Sequence, residues 1–224
     1  MNKLISIAIV LLVATNIYSQ APCPGMPTVI YEGRTYNTVK IKKQCWLKEN
    51  LNVGMMIPWR EKSKNNNVIE KYCYNDSIAN CDKYGGLYQW AEAVQYKNGA
   101  DNTTTANPKM KGKVQGICPP GWHIPNKEES YTLGNSVNQD GNALKAIGQE
   151  TGIFAGTNTS GFSALIYKYS RTDADHAFFW LSDEQSYQSD LATDFFIYGK
   201  SFVSQQTDYK YQKMSVRCIK DYDN

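Results

Sequence analysis

Hydrophobic and polar residues alternate over the early part of the chain in a pattern typical of β-strands. Residues 28–31 and 35–41 are rich in β-branched and aromatic side chains, and they flank the turn sequence Glu32-Gly33-Arg34. This pattern predicts an N-terminal β-hairpin. Residues 46–51 are predicted to be irregular, and the polar residues 59–71 are predicted to form an exposed loop.

Apolar residues first recur at helical spacing in the middle of the chain. The spacing predicts an amphipathic helix over residues 86–96. Residues 98–113, which are rich in Asn, Thr, Gly and Lys, are predicted to form a long loop. The apolar positions of the predicted helix are Leu87, Trp90, Ala91 and Val94.

A second helix is predicted from its N-terminal signals. Asn126 is a suitable N-cap, and Glu128 and Glu129 in the first turn interact favourably with the helix dipole. The helix should extend to about Ser136, and residues 142–149 are predicted to form another short helix.

Strand-like segments dominate the C-terminal part of the chain. Because an antiparallel sheet follows the helices, the pattern predicts an α+β fold with two or three short helices and long loops. The predicted strands are residues 161–167, 177–181, 194–198 and 214–219.

The first nineteen residues have the features of a signal peptide. Lys3 gives a positive start, residues 4–13 form an apolar run too short to span a bilayer, and small or polar residues follow as far as Ser19. We therefore predict a leader over residues 1–19 and one exported domain over residues 20–224, which includes the N-terminal hairpin. Because a second apolar run does not occur in the sequence, a transmembrane anchor is not predicted. The predicted location is extracellular or at the cell surface, with the periplasm as the alternative.

Charge and composition narrow the possible partners. The 24 Lys and Arg residues nearly balance the 21 Asp and Glu residues, and without a basic stripe they do not predict nucleic-acid binding. The 16 tyrosines and five tryptophans suit a carbohydrate-binding surface, where aromatic faces stack on sugar rings. The alternative is that these side chains serve the core, because aromatic residues bury a large area each.

Six cysteines in an exported chain predict disulfide bonds rather than a metal site or a redox pair. One pair flanks the hairpin, one encloses a short polar loop, and one would tie the middle of the domain to its last strand. Spacing alone does not select this set among the other connectivities. The candidate bridges are Cys23–Cys45, Cys73–Cys81 and Cys118–Cys218.

Six short segments occur in an order that is specific as a set. They are residues 36–41, 44–51, 84–90, 118–125, 160–165 and 215–218. Together they resemble the Fibrobacter succinogenes major paralogous domain, a family common in exported proteins of the Bacteroidetes. The family is similar to C-type-lectin-like domains and, more distantly, to the formylglycine-generating enzyme superfamily. The resemblance implies a C-type-lectin-like α+β fold with disulfide-stapled loops, in which Cys118–Cys218 is the long-range bridge.

Two acidic clusters near the C-terminal strands are the candidate binding positions. Carboxylate oxygens on loops are suitable ligands for Ca²⁺, and Asp183 with Glu184 is the favoured pair because it follows a strand that contains Trp180. An acidic pair beside an indole could also bind a sugar. The alternative is that both clusters are exposed turn carboxylates. The candidate ligand-binding residues are Arg171, Asp173, Asp175, His176, Trp180, Asp183 and Glu184.

Catalysis is not predicted. The chain has no nucleophile-elbow or zinc-protease motif, all six cysteines have structural partners available, and His123 is expected to be a buried, hydrogen-bonded histidine. No cofactor is predicted to be required, although Ca²⁺ is a candidate. The sequence therefore favours a secreted or surface module that binds glycan or an envelope or host protein. The alternatives are a structural envelope or matrix component and, less favoured, an enzyme of the formylglycine-generating type.

One modification site is also predicted. Asp76-Ser77-Ile78 resembles the Asp-Ser/Thr-aliphatic sequence at which Bacteroidetes proteins are O-glycosylated, which makes Ser77 a candidate. It lies in the short loop between Cys73 and Cys81, where exposure is expected. Because a tripeptide is short, a chance match is the alternative.

Overall fold

Strands make up most of the regular structure. The computed structural model describes residues 20–168, 175–185 and 187–221. The strands are β1 (Thr28–Tyr31), β2 (Arg34–Ile41), β3 (Gln44–Leu47), β4 (Met55–Met56), β5 (Glu70–Lys71), β6 (Leu87–Tyr88), β7 (Trp122–His123), β8 (Tyr167–Lys168), β9 (Asp175–Glu184), β10 (Leu191–Tyr198), β11 (Ser201–Tyr209), β12 (Met214–Ser215) and β13 (Ile219–Lys220). The helices are α1 (Ile78–Tyr84), α2 (Trp90–Ala93), α3 (Lys127–Ser136) and α4 (Gly141–Leu144), with 3₁₀ turns at Tyr74–Asp76, Lys97–Gly99 and Gly152–Phe154.

Both ends of the described chain meet in one antiparallel sheet. Its strand order is β1-β2-β3-β13-β7, so β3, which follows the N-terminal hairpin, lies beside the last strand. Ile219 of β13 is paired with Trp46 on one side and with His123 on the other. This sheet therefore connects three distant parts of the sequence.

A second sheet carries the longest strands. Its order is β11-β10-β9-β12-β6, and β8 pairs with β9 as well. The pairing of β12 with β9 is parallel, and the other pairings of this sheet are antiparallel. β4 and β5 form a separate parallel pair. The predicted α+β class is confirmed.

Tryptophan and phenylalanine fill the core. Four of the five tryptophans are at most 2% exposed, so they serve packing rather than a binding surface. In a second core cluster the Phe179 and Phe195 rings stack at 4.7 Å, where β9 and β10 lie side by side. The buried tryptophans are Trp46, Trp90, Trp122 and Trp180.

Local signals predicted the hairpin and the capped helix correctly. β1 and β2 pair over residues 28–37 as expected. At the start of α3 the side chain of Asn126 accepts a hydrogen bond from Glu129 N, and the carboxylate of Glu129 accepts one from Asn126 N, both over 2.9 Å. This capping box satisfies two backbone donors at the helix start.

The predicted amphipathic helix over residues 86–96 is wrong for most of its length. Its first part is β6, which pairs with β12, and only four residues form α2. The indole Nε1 of Trp90 donates a hydrogen bond to Leu181 O over 2.9 Å. These long-range hydrogen bonds, together with burial on all sides, outweigh the local helical spacing.

The predicted helix over residues 142–149 and strand over residues 161–167 are largely not formed. α4 is only four residues long, and after it Lys145 forms an isolated parallel bridge with Ala164. Of the predicted strand, only Tyr167 belongs to a named strand, β8. Pairing between two distant segments therefore replaces both local structures.

Strands also occur where none was predicted, among them β3, β5 and β11. β3 overlaps the start of residues 46–51, which were predicted to be irregular, and β5 lies at the end of residues 59–71, which were predicted to be an exposed loop. β11 was not predicted because it is rich in polar side chains. All residues of β3 and β5 are buried, and burial on both faces removes the alternation that signals a strand. The predicted strand over residues 214–219 divides into β12 and β13, one in each sheet.

Three disulfides staple the fold. The structure contains the three pairs that were candidates from the sequence, with sequence separations of 22, 8 and 100. The longest joins Cys118, just before β7, to Cys218, just before β13. Among the helices of the described residues, none is long and apolar enough to span a membrane.

The two extreme loop lengths predict unequal stabilisation. Replacing both cysteines of the Cys118–Cys218 bridge by alanine should reduce the free energy of unfolding by about 4–5 kcal/mol, because it closes the longest loop. The same change at Cys73–Cys81, whose separation is 8, should cost only about 2–3 kcal/mol. Urea unfolding of both variants checks this. Equal losses of stability, or a larger loss at Cys73–Cys81, would contradict the explanation that a disulfide stabilises by restricting the unfolded chain.

Candidate functional site

An open cavity of about 600 Å³, with both polar and apolar lining residues, lies at the C-terminal end of β9. We call it the β9-end cavity. It is formed by part of the loop over residues 105–114, by the start of α3 and by the last residues of β9. Its polar lining includes Lys109, Asn126, Lys127, Glu128, Asp183 and Gln185.

The half-buried Asp183 is the carboxylate most directly placed at this cavity. Its Oδ2 accepts a hydrogen bond from Lys127 N over 2.8 Å, at the first residue of α3. Burial raises the pKa of Asp183, and the nearby Glu129 and Glu128 add to this rise, while the bond from Lys127 N opposes it. The helix start thus holds a carboxylate at the edge of the cavity.

The adjacent Glu184 has a mainly structural role. Its Oε1 forms a 2.7 Å ion pair with Nζ of Lys210, and its two carboxylate oxygens accept hydrogen bonds from Ala106 N at 3.2 and 3.1 Å. The side chain of Lys210 is fully buried, donates to Thr104 O over 2.9 Å and lies 4.5 Å from the ring centre of Trp90. This network anchors the loop over residues 98–113 to the second sheet.

The structure gives the two carboxylates of the expected calcium pair different partners. Successive side chains on a strand point to opposite faces, and here Asp183 accepts a hydrogen bond from Lys127 N at the start of α3 while Glu184 pairs with Lys210. Both residues line the β9-end cavity, and a Ca²⁺ site at this pair remains a prediction. Within residues 20–168, 175–185 and 187–221 no group of three or more His, Cys, Asp or Glu side chains is arranged to hold a metal.

The expected role of Trp180 in ligand stacking is also corrected. Its side chain is 0% exposed and belongs to the larger core cluster. The indole Nε1 donates to Tyr88 O over 2.8 Å, which ties β9 to β6. A buried indole has no free face on which a ligand could stack.

Only part of the other predicted cluster lies within the described residues. Arg171 and Asp173 fall outside the described residues, as does the side chain of Asp175. The ring of His176 stacks on Phe178 at 5.2 Å and on Tyr198 at 4.6 Å. Seven positions separate His176 from Asp183 along β9, or about 23 Å at the rise of an extended strand. The two therefore do not share one cavity.

His123 is the buried, hydrogen-bonded histidine that the sequence predicts. It is 1% exposed, and its Nε2 lies 2.8 Å from Oε1 of Glu129. Its Nδ1 contacts a carboxylate oxygen of Asp221. The imidazole thus links β7, the first turn of α3 and the end of the described chain.

Ser77 lies at the start of α1 and is partly exposed. The preceding Asp76 accepts a hydrogen bond from Trp59 N over 2.7 Å. Glycosylation of Ser77 remains a prediction.

Two carboxyl groups away from the cavity have strongly raised pKa values. Burial raises the pKa of Glu92 to about 7, although Glu70 N and the Tyr96 hydroxyl donate hydrogen bonds to it. Burial raises the pKa of Asp194 to about 8, and the charge of Asp208 adds to this rise. The carboxyl oxygens of Asp194 have no hydrogen-bond partner in the described part of the chain. Both groups are almost fully enclosed, which makes them polar members of the core.

Sequence reasoning found Asp183 but missed what surrounds it. The partners come from the helix start at Lys127, from Lys210 near the C-terminus and from the loop over residues 105–114. The N-cap at Asn126 was a signal for the first of these. Nothing in the local sequence around Lys210 marks it as a buried cation.

Comparison with known proteins gives one match. The family model of the Fibrobacter succinogenes major domain matches residues 39–220, which is most of the chain. Searches of curated proteins and of solved structures gave no significant match.

Removal of the Glu184–Lys210 ion pair should cause a local loss of order in the loop that it anchors. Glu184→Gln leaves a buried ammonium group without its carboxylate, so it should reduce the free energy of unfolding by about 3 kcal/mol or more. Hydrogen exchange of the amides in residues 98–113 should accelerate, because the anchor of that loop is lost. Glu128→Gln, at an exposed position lining the same cavity, is the matched control. Equal effects of the two variants would contradict the assigned role.

Asp194 predicts a defined pH dependence of stability. Its folded pKa of about 8 lies above the ordinary value of 3.8, so the folded state binds this proton more tightly and stability falls as pH rises between those values. Asp194→Asn removes the titration, so the stability it adds should be larger at pH 8 than at pH 4 by an amount on the order of 5 kcal/mol. Asp190→Asn, in the β9–β10 connection, is the control. Thermal unfolding between pH 4 and pH 9 measures the difference, and a gain that does not grow with pH would refute it.

Proposed function

The chain belongs to the Fibrobacter succinogenes major domain family, and from that premise we propose that it is an exported, non-catalytic binding module whose β9-end cavity takes a glycan. The observation that carries the proposal is the cavity itself. It is open, about 600 Å³ in volume, and lined by carboxylates, amides and ammonium groups from three separate segments. A cavity of this size is typical of small-ligand sites and has room for one or two sugar rings.

The lining has the chemistry that sugar hydroxyls require. Asp183 offers carboxylate oxygens as acceptors, and the side-chain amide of Asn126 offers N–H donors. Gln185 offers its side-chain oxygen as an acceptor, because its Nε2 already donates to the hydroxyl groups of Thr193 and Thr207. One Asp183 oxygen is already fixed by Lys127 N, so the carboxylate is oriented before a ligand arrives. Stacking on Trp180 is not part of the proposal, because that indole is buried.

Binding is proposed not to require Ca²⁺. The carboxylate of Glu184 is occupied by Lys210 and Ala106 N, which leaves Asp183 as the acidic ligand on the cavity side of β9. The remaining acidic residue of the lining, Glu128, has an exposed side chain on α3, and among the described residues no three His, Cys, Asp or Glu side chains are grouped to hold a metal.

We propose a C-type-lectin-like arrangement for the fold. The support is the bridge between Cys118 and Cys218, which the family resemblance implies, together with long loops stapled to a strand-rich α+β core. Export from the cytoplasm is supported by the three disulfides, because such bonds persist in oxidising compartments.

The absence of catalysis is also a proposal, and it has two supports. All six cysteines lie in the described part of the chain and all are paired, whereas the formylglycine-generating relatives use a reactive cysteine pair. Both ring nitrogens of His123 contact carboxylates, and the ring is buried. A structural envelope or matrix role is the second candidate, favoured if no small ligand binds.

A glycan array probed with residues 20–224, with Ca²⁺ and with a chelator, tests the proposal. We expect saturable binding in both conditions. Asp183→Asn should weaken it about tenfold or more, because a charge-assisted hydrogen bond to a sugar hydroxyl is lost. Asp190→Asn is the matched control, and unchanged thermal unfolding of each variant shows that the fold is intact.

Three results would overturn parts of the proposal. No glycan binding by the folded, fully oxidised protein would favour the structural role or a protein partner. Binding that Asp183→Asn does not change would place the site elsewhere. Binding only in Ca²⁺ would refute the metal-free mode.

A further inference from the structure

A second open cavity, of about 500 Å³, lies away from β9 and is defined by a buried arginine. We call it the Arg217 cavity. It is formed by the start of β2, by residues 48–52, by the end of α1 and by residues 163–165. The charged residues that line it are Arg34, Lys48, Glu49, Asp82, Lys83 and Arg217.

Arg217 is a buried cation, and among the described residues the charge of Glu49 acts on it without a hydrogen bond between the two side chains. It is 1% exposed, and burial lowers its pKa to about 9. Its Nε and Nη2 donate to the amide oxygen of Asn50, and its Nη1 donates to Leu47 O and Phe162 O. A buried guanidinium is normally paired with a carboxylate, but in the part of the chain that the structure describes none bonds to Arg217.

One donor of this guanidinium remains available. Within the described residues, four of its five N–H groups are used by Asn50, Leu47 O and Phe162 O, which leaves one N–H of Nη2. The faces of the group are covered by Phe162, whose ring centre is 4.5 Å from Cζ, and by Phe179 at 5.5 Å. The group is therefore rigidly held and lines the cavity with an unused donor.

The two carboxylates of the cavity wall are already committed. Asp82 forms a 2.7 Å ion pair with Arg34, and Glu49 accepts hydrogen bonds from the backbone and side-chain nitrogens of Asn37 at 2.7 and 2.8 Å. Lys48 and Lys83 form no ion pair with a described residue. Four cations against two carboxylates leave an excess of two positive charges.

The electrostatic potential behind the wall of the Arg217 cavity is also positive. The ammonium group of Lys71 donates to the side-chain oxygen of Asn52, a lining residue, over 2.6 Å. Burial lowers the pKa of Lys71, and the charge of Arg34 lowers it further. An anion in this cavity would therefore interact favourably with cations from several directions.

We propose that the Arg217 cavity is a second binding site, specific for the carboxylate or sulfate group of an acidic saccharide. The anionic group meets Lys48 and the unused N–H of Arg217, and Lys83 lies at the rim. The side-chain amides of Asn50 and Asn52 and the ring of Tyr84 line the remaining space, which is large enough for one or two sugar rings. The anion specificity stands on these charges alone and does not depend on the β9-end cavity.

Isothermal titration with glucuronic acid, glucose 6-sulfate and neutral glucose tests the proposal. We expect one or both anionic sugars to bind and glucose to bind at least about tenfold more weakly, with affinity falling as NaCl is raised. Binding of only one anion would identify the carboxylate or the sulfate as the natural group. No binding of either anion, or equal binding of glucose, would overturn the proposal.

Charge variants locate the site. Lys48→Gln combined with Lys83→Gln should weaken binding of the anionic sugar about tenfold without affecting folding, since neither lysine makes an ion pair. Lys43→Gln, in the exposed β2–β3 turn, is the matched control. Equal weakening by the control would show that binding is nonspecific and would refute the site.

Two further variants complete the test. Arg217→Lys keeps the charge but loses the planar set of N–H donors, so it should weaken binding of the anionic sugar. Circular dichroism checks that this variant is folded. Unchanged affinity of the folded variant would show that Arg217 is not part of the site. Asp183→Asn should leave binding of the anionic sugars unchanged, which separates failure of this proposal from failure of the first. Loss of anionic-sugar binding in Asp183→Asn would place both ligands in the β9-end cavity and overturn the second site.

Discussion

The fold depends on one short segment that belongs to both sheets. Residues 214–220 contribute β12 to the second sheet and β13 to the first, and the residues between these strands are buried. Cys218 forms a disulfide with Cys118 in this segment. The adjacent Arg217 donates hydrogen bonds to Leu47 O of β3 and to Phe162 O. Because strand pairing, a disulfide and a guanidinium all act on these seven residues, the two sheets cannot move independently.

The β9-end cavity follows from the alternation of side chains on one strand. Asp183 and Glu184 are neighbours in sequence, yet one faces the helix start and the other faces the buried Lys210. Glu184 holds the loop that forms a wall of the cavity, and the carboxylate of Asp183 is left for a ligand. One strand end therefore supplies both the support and the chemistry of the candidate site.

The two cavities differ in charge and would select different ligands. The β9-end cavity mixes acidic, basic and amide groups, which suits neutral polyhydroxylated molecules. The Arg217 cavity has an excess of cations and a buried guanidinium to which no carboxylate of the described residues bonds, which suits an anion. A module with both would discriminate among saccharides by their charge as well as by their hydroxyl groups.

The sequence by itself determined the features whose signals lie within a few residues or in an ordered set of motifs. These are the N-terminal hairpin, the capping box of α3, the candidate disulfides, the buried His123 and the family. Only the tertiary structure decided that residues 87–88 form a strand, that Trp180 is buried and that Asp183 and Glu184 diverge. The reason is physical: caps, turns and cysteine spacing act locally, whereas strand pairing and burial depend on partners about a hundred residues away, such as Met214 for Tyr88 and Tyr88 O for Trp180.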